Sequence, residues 1–545
     1  MKLNRKISFI ILTVIVIIST VIGFKSLYPA TPNYDDESKT TVTNQMNHIY
    51  EIAKEPHSIF DIEAKGKVRD YLVSELQNLG LEASIYEYED VYVEYTDSHE
   101  DLQNIYAELK GKSDSYIMLV THYDTARAKR YAEKDGSVGA ADAGYGLSTI
   151  LETLRVIKES GQELENGIKI LFTDGEEYGL LGAKEAVSEP EIFEGVNYLI
   201  NLEARGTKGP AIMFETSPNN AGILDLYEVS THPFSYSITP EIYRLLPNGT
   251  DFTIFLENNI PGINIAVLDG LEHYHTPDDN PENLNDASIQ HYGDQVLPIV
   301  KEFVYNEKYS NPEALQTKDD AIFFTFANIF IKYSKTVNYV LIATILLAII
   351  FLFKKLKIQK LRHVFKYTLI NTGYTITMMG LAYLLTRVVA MLNGREFNFT
   401  YLPLMKFEDV IFIVTIILTL IGYVLAMSKV TRQFKEKNEF VLGSIMFLLI
   451  LGTIITFTLP GASYLMVVPA FLMSVGLVIK ELVQSDYMSF SMLVPIVFIL
   501  ILFVPTIYLF NAALTFGGLT ANMLFIMIGF ITIISSAICI KGITN

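Results

Sequence analysis

Cysteine is almost absent from this chain of 545 residues. The single cysteine, Cys539, lies in the last of the long apolar runs described below, so no disulfide can form within the chain. Disulfides commonly stabilise domains that lie outside the cytoplasm. Without them, the chain depends on a large apolar core, and bound metal is a further possible source of stability.

A strongly basic surface is also missing. The formal net charge is -18 at pH 7, and the apolar C-terminal part of the chain is net basic. The segment that precedes it therefore carries essentially all of the acidity. There is no basic groove with interleaved aromatic residues, so nucleic acid is excluded as an expected partner. The sequence has no internal repeat and no low-complexity segment.

Long apolar runs stand at both ends of the chain. Residues 7–24 follow the basic sequence MKLNRK and are long enough to cross a hydrocarbon core as a helix. A cleaved signal peptide would have a shorter apolar run and a small-residue cleavage site, for which GFKSLYPATPN is a poor match. We therefore expect an uncleaved signal anchor. Seven further apolar runs lie at roughly 337–353, 367–391, 409–427, 440–459, 462–479, 490–510 and 517–540.

The loops between these runs predict how the chain is oriented in a lipid bilayer. Lys and Arg are frequent in residues 354–366 and 428–439, as they are at the N-terminus. Because cytoplasmic loops carry an excess of Lys and Arg, we expect both termini in the cytoplasm. The predicted domains are a tail and anchor at 1–27, an extracytoplasmic domain at 28–333, and a membrane domain of about seven helices at 334–545. The expected location is the cell membrane.

The segment between the membrane regions alternates between two patterns. Short apolar runs such as SYIMLV and GIKILF precede stretches such as GYGLSTILETLRVIKES, whose apolar residues recur every three or four positions. This alternation predicts an α/β fold with a mixed, mainly parallel sheet flanked by helices. The membrane domain is predicted to be all-α.

Acidic residues and histidines follow the ends of four predicted strands. They are His122 with Asp124, Glu176 with Glu177, Glu203, and His275. Sites in open α/β sheets form at the carboxyl ends of the strands, so one edge would collect all of these residues.

Each of these residues has an ordinary explanation when it is taken alone. A histidine after a strand is usually a hydrogen-bonded structural residue, and Asp142 could be a helix N-cap. The pair Glu176 and Glu177 could start a helix, where its dipole favours acidic residues. The joint occurrence at one edge favours a common cause instead. Histidine and carboxylate are zinc ligands, and a carboxylate that bridges two ions would give each of them a complete set.

Five motifs, THYDT, GAADAG, DGEEYGLLGA, NLEARG and YHTPDD, lie in order between about residues 104 and 285. Together they resemble the zinc exopeptidase family that includes bacterial leucyl aminopeptidases, glutamate carboxypeptidase and glutaminyl cyclases. The sequence is most similar to its membrane-embedded branch, the endoplasmic reticulum metallopeptidases and fungal vacuolar membrane proteases. The resemblance implies a zinc exopeptidase-like fold and two zinc ions per chain.

The resemblance also implies a role for each residue. His122 and Glu203 would bind one zinc, Glu177 and His275 the other, Asp142 would bridge the two, Glu176 would be the general base, and Asp124 would orient His122. The family pattern selects His275 over His273, and it leaves His57, His232 and His291 as surface or structural residues. Two positions depart from it: Ala143 stands where many relatives have an acidic residue, and Glu203 where soluble aminopeptidases commonly have Asp.

The implied function is that of a membrane-anchored zinc metallopeptidase, with aminopeptidase activity as the leading expectation and a peptide as substrate. A glutaminyl cyclase-like transferase with one zinc and a non-catalytic peptidase-like binding module are the alternatives. A transporter function of the membrane domain is disfavoured because its spans contain few ionisable groups besides Arg387. The sequence sets no oligomeric state.

Overall fold

The computed structural model describes residues 5–28, 30–127, 136–358, 361–397, 402, 404–434, 437–483, 485–541 and 543. The chain divides into two compact units. Tyr28–Lys332 form an α/β unit, and Met1–Leu27 together with Tyr333–Asn545 form a helical unit.

The strands are β1 (Ala83–Val93), β2 (Ser98–Leu109), β3 (Tyr116–His122), β4 (Gly167–Thr173), β5 (Val196–Ala204), β6 (Ile212–Thr216), β7 (Gly262–Val267), β8 (Ala321–Phe326) and β9 (Ile329–Ser334). The first helix, α1 (Arg5–Lys25), belongs to the helical unit. The α/β unit contains α2 (Val42–Ile52), α3 (Ile62–Asn78), α4 (Gly144–Glu159), α5 (Leu181–Ala186), α6 (Pro190–Phe193), α7 (Ala221–Tyr227), α8 (Ile238–Tyr243), α9 (Asp251–Glu257) and α10 (Asp286–Tyr305).

Seven strands form the central sheet, in the order β1-β2-β4-β3-β5-β7-β6. The four inner strands β4, β3, β5 and β7 are parallel, whereas β1, β2 and β6 pair in antiparallel fashion. Strands β8 and β9 form a separate two-stranded sheet. The predicted mixed sheet is therefore confirmed.

Both faces of the sheet are covered, which explains why its inner strands read as continuous apolar runs. Every residue of β3 and of β4 is buried. Successive side chains of a strand point to opposite faces. Accordingly, Ile117 and Leu119 of β3 join a core cluster that includes residues of α4 and α10, whereas Met118 and Val120 join a second cluster with residues of α5 and α9.

The helical unit contains α1 and seven further helices: α11 (Lys335–Lys355), α12 (Leu361–Leu392), α13 (Glu408–Phe434), α14 (Lys437–Thr458), α15 (Tyr464–Val483), α16 (Leu493–Leu514) and α17 (Leu519–Ala537). By length and composition, seven continuous helical stretches among the described residues could cross a membrane, and the last of these, Asp486–Ala537, contains both α16 and α17. Each predicted apolar run overlaps one of these helices. The predicted domain boundaries and orientation stay predictions.

A buried ion pair fixes the chain where β4 ends. Lys65 Nζ of α3 lies 2.6 Å from Oδ2 of Asp174, and their side chains are 5% and 0% exposed. The backbone N–H of Gln103 donates to the same Asp174 oxygen at 2.9 Å. Burial raises the pKa of Asp174 to about 6, although the charge of Lys65 opposes this. Asp174 therefore depends on Lys65 to remain charged in the core.

Replacing Lys65 by Met should lower the free energy of unfolding of the α/β unit by about 3–5 kcal/mol, because it leaves a buried carboxylate without its partner. Pulse proteolysis of the full-length protein across a urea series measures this loss. Without Lys65 the folded protein tolerates protonated Asp174 better than charged Asp174, so the pKa of Asp174 rises further in the variant. The loss should therefore grow as the pH rises above about 6, the pKa of Asp174 in the wild-type protein.

Lys67→Met on the same helix is the matched control. Lys67 is 60% exposed and pairs with Glu55 and Glu63 at the surface, where such pairs contribute about 0–1 kcal/mol. Equal losses for the two variants would contradict the account of Lys65.

Candidate metal centre

The sheet brings the predicted residues to one edge because its inner strands run parallel. His122 is the last residue of β3, and Glu203 lies one residue before the end of β5. Asp174 and Gly175 follow β4 and lead into a single 3-10 turn, Glu176–Tyr178. Gly175 has a φ of 77°, a left-handed conformation that suits glycine and turns the chain immediately before the two glutamates.

One carboxylate, Asp142, faces both histidines. Its Oδ1 lies 3.2 Å from His122 Nε2, and its Oδ2 lies 3.5 Å from His275 Nε2. A second carboxylate accompanies each imidazole: Glu203 Oε2 is 3.6 Å from His122 Nε2, and Glu177 Oε2 is 2.9 Å from His275 Nε2. The five side chains thus form two clusters that share Asp142. Donor atoms of His122, Asp142 and Glu177 lie within 4.8 Å of one another.

Burial dominates the electrostatics of this site. It raises the pKa of Glu177, although the charge of His275 opposes it, and it raises the pKa of Glu203 against the charge of His122. Burial acts to lower the pKa of His122, but hydrogen bonds with Asp124 and Asp142 raise it well above its usual value. Together these shifts describe a site with an excess of buried carboxylates, which favours positive charge between them.

The donor set fits zinc. Among the described residues, the buried Glu177 Oε1 has no hydrogen-bond partner, and His275 Nε2 makes no hydrogen bond of acceptable geometry despite its approach to Glu177. A buried polar atom without a partner costs about 1–3 kcal/mol. Imidazole nitrogen and carboxylate oxygen are ligands of zinc. A cation at this position would occupy both atoms.

Asp124 is fully buried and contacts three residues of the site. Its backbone carbonyl accepts a hydrogen bond from Nδ1 of His122 at 3.0 Å, while its carboxylate Oδ1 lies 3.6 Å from that nitrogen. The carboxylate accepts the backbone N–H groups of Glu176 at 3.0 Å and Glu177 at 3.4 Å. With Nδ1 donating to the carbonyl, His122 Nε2 is left as the atom that faces Asp142.

Glu176 differs from its neighbour Glu177. Within the described part of the chain it forms no ion pair with either histidine. Burial, followed by the negative charge of Glu203, raises the pKa of Glu176 well above its usual value. Glu176 is thus a half-buried acid beside the two clusters, and its raised pKa favours the protonated form.

Four other histidines that the sequence analysis considered have partners outside the two clusters. His273 shares a hydrogen bond with Thr207 Oγ1 through its Nδ1, at 2.8 Å. His57 donates to the carbonyl of Glu55, His291 to that of His232, and His232 pairs with Asp294. The sequence also predicts a charged loop at the mouth of the site, RAKRYAEKDGSV at 127–138, and its residues 128–135 lie outside the described residues.

Sequence reasoning missed Asp279, which holds the turn that carries Asp142. Asp279 is buried and accepts hydrogen bonds from the backbone N–H groups of Ala141 at 2.8 Å and Asp142 at 3.3 Å, and from Ser137 Oγ at 2.8 Å. The second acidic residue of the YHTPDD motif is the sequence feature that could have indicated Asp279.

Sequence reasoning also missed two other neighbours of the site. The ring of Tyr274 stacks on His275 with centroids 3.7 Å apart. Asn201 donates a hydrogen bond to Glu203 Oε1 at 2.9 Å.

Residues 104–300 match Peptidase family M28, which confirms the predicted resemblance. Endoplasmic reticulum metallopeptidase 1 of Mus musculus is 26% identical over 276 residues, which cover 49% of this chain and 30% of the relative. Vacuolar membrane protease of Candida tropicalis is 28% identical over 314 residues, which cover 54% and 32%. The matched part thus spans about a third of the length of these curated relatives.

Two solved structures are also similar to this chain. The aminopeptidase from Aneurinibacillus sp. strain AM-1 has a TM-score of 0.40 at 15% identity, with 49% of this chain and 95% of that chain covered. Fimbriiglobus ruber glutaminyl cyclase has a TM-score of 0.40 at 15% identity, with 50% and 97% covered.

Replacing Asp279 by Ala should lower zinc affinity about 10–100-fold, because the turn that presents Asp142 loses three hydrogen bonds. Competition with a chelator on the purified, metal-free protein measures the affinity. Asp278→Ala is the control, since Asp278 is adjacent and exposed. Wild-type affinity in Asp279→Ala would contradict the assignment of Asp279 to this site.

Proposed function

We propose that this protein is a membrane-anchored zinc metallopeptidase that acts as an aminopeptidase. The observation that carries the proposal is the position of Asp142, whose two oxygens face two histidines, each accompanied by a second carboxylate. The M28 match and the names of the relatives support peptidase activity. In this proposal the α/β unit lies outside the cell membrane, and both termini lie in the cytoplasm.

The side chains divide between two zinc ions. His122 and Glu203 would hold one ion, His275 and Glu177 would hold the other, and Asp142 would contribute one oxygen to each. When bound, zinc lowers the pKa of water and polarises a carbonyl oxygen. Asp124 contributes by holding the ring of His122 and the backbone of both glutamates.

Glu176 is the proposed general base. Its pKa is raised first by burial and then by the charge of Glu203, which suits a group that must accept a proton from the attacking water. It then donates that proton to the amine that leaves. Glu177, which lies 2.9 Å from His275, is a ligand and takes no part in proton transfer.

The two neighbouring glutamates should therefore respond differently to the same substitution. Glu176→Gln should lower kcat/KM at least about 10²-fold with zinc content unchanged, because it removes the base. Glu177→Gln should lower zinc affinity at least about tenfold, because it removes a ligand. Hydrolysis of an aminoacyl chromogenic substrate and chelator competition measure the two effects. Full activity in Glu176→Gln, or the same pattern in both variants, would contradict the division of roles.

Peptides with a free amino terminus should be hydrolysed, and the same peptides acetylated at that end should not. The physical reason is that a free amine can bind at the metal centre through its nitrogen lone pair, whereas acetylation turns the amine into an amide that has neither an available lone pair nor a charge. Mass spectrometry of the products from free, N-acetylated and C-amidated peptides tests the expectation. Loss of C-terminal residues from acetylated peptides would show a carboxypeptidase instead. Pyroglutamate formation without hydrolysis from peptides that begin with Gln would show a cyclase.

A further inference from the structure

We infer that a row of two buried amides, Asn201 and Asn264, positions Glu203 in the metal centre by selecting which of its oxygens faces His122. The inference rests on the proposed function, since it takes Glu203 as a metal ligand. In this role Asn201 and Asn264 are positioning residues, because they act through Glu203.

The row crosses three neighbouring strands. Asn201 of β5 lies directly opposite Asn264 of β7, and Asn264 lies opposite Glu215 of β6. Residues that are opposite each other on neighbouring strands share a face of the sheet. All three are buried, with exposures of 0%, 0% and 4%. The apolar residues Val120, Leu199 and Phe252 belong to one core cluster on this side of the sheet, so the polar row is an exception among its surroundings.

Hydrogen bonds make the row continuous. Asn201 Nδ2 donates to Glu203 Oε1 at 2.9 Å and to Asn264 Oδ1 at 3.2 Å. Asn264 Nδ2 donates to Thr250 Oγ1 at 2.8 Å and to Glu215 Oε2 at 3.3 Å. A carboxylate that binds metal is ionised and only accepts hydrogen bonds, so Glu203 in that role fixes the direction in which Asn201, and then Asn264, must point its amide.

These hydrogen bonds distinguish the two carboxylate oxygens of Glu203. Its Oε1 is occupied by the Asn201 amide, which leaves Oε2 as the oxygen 3.6 Å from His122 Nε2. Because Asn201 and Glu203 are two residues apart on one strand, they lie on the same face and the contact is local. The amide thereby holds one oxygen of Glu203 and leaves the other facing the metal centre.

The Asn264 end of the row is connected by hydrogen bonds to β4, the strand that precedes Glu176. Thr250 is the N-cap of α9, and the next residue, Asp251, accepts a hydrogen bond from Thr173 Oγ1. Thr173 is the last residue of β4 and stands three positions before Glu176. The row therefore links the Glu203 side of the centre to the Glu176 side through the start of α9.

A purely structural role of Asn201 predicts a loss of stability without a loss of zinc affinity. Asn201→Leu removes the donor to Glu203 Oε1 and Asn264 Oδ1, and buried acceptors that lose their partner destabilise the folded state. The metal-free variant should therefore unfold at a lower temperature than wild type under either role. If the amide positions Glu203, the same variant should bind zinc less tightly, because Oε1 and Oε2 are no longer distinguished.

The experiment measures zinc affinity by chelator competition, and thermal unfolding without metal, on the full-length protein. The variants are Asn201→Leu, Asn201→Ala, Asn264→Ala and the double variant Asn201→Ala/Asn264→Ala. We expect zinc affinity to fall about 10–100-fold in both Asn201 variants. Asn264→Ala should cause a smaller fall, and the double variant no more than Asn201→Ala alone, because the two amides act as one unit.

Asn166→Ala is the matched control. Asn166 is fully buried as well, and its Nδ2 donates to the carbonyls of Phe303 at 2.7 Å and Asn306 at 3.0 Å, away from the centre. It should lose stability and keep its zinc affinity. Wild-type zinc affinity in Asn201→Leu or Asn201→Ala would overturn the inference, as would additive effects of Asn201 and Asn264. A wild-type protein that binds no zinc would instead overturn the proposed function.

Discussion

The burial of several carboxylates around two histidines is the constraint on which the α/β unit depends. Asp142, Glu177 and Glu203 are held within 4 Å of an imidazole nitrogen, and Glu176 lies beside them. Burial raises the pKa values of Glu177 and Glu203, and positive charge opposes this rise. The histidines supply part of that charge. Glu177 Oε1 and His275 Nε2, which make no hydrogen bond among the described residues, indicate where a cation would supply the rest. The catalytic proposal follows from this charge arrangement, since one bridging carboxylate and one acid outside the clusters are what a two-metal hydrolase requires.

Residues outside the centre hold this arrangement through contacts that are distant in sequence. Lys65 neutralises Asp174 immediately before the two glutamates. Asp279 holds the turn of Asp142, and Asn201 holds one oxygen of Glu203. Each acts on a different strand end or turn, so the proposed ligands are fixed separately. Such preorganisation of ligands by surrounding hydrogen bonds is typical of metal sites.

The sequence predicted most of the architecture for a physical reason. Parallel strands that are buried on both faces leave continuous apolar runs, and polar residues at their ends must gather at one edge, so the placement of His122, Glu177 and Glu203 could be foreseen. The roles of Asp279 and Asn201 could not. Asp279 contacts Asp142 across 137 residues, and Asn201 contacts Asn264 across 63. The local spacing of apolar and polar residues in the sequence does not indicate contacts between residues so far apart. Asn201 stands in the run VNYLINLEA, which contains two asparagines, and nothing in the run indicates the partner of either.

The central claim is that Asp142 joins two metal sites in one centre. A calorimetric titration of the metal-free, full-length protein with zinc tests it most directly, with mass spectrometry of the loaded protein to count the ions. The account predicts two equivalents of zinc per chain. A single equivalent, or none, would contradict it.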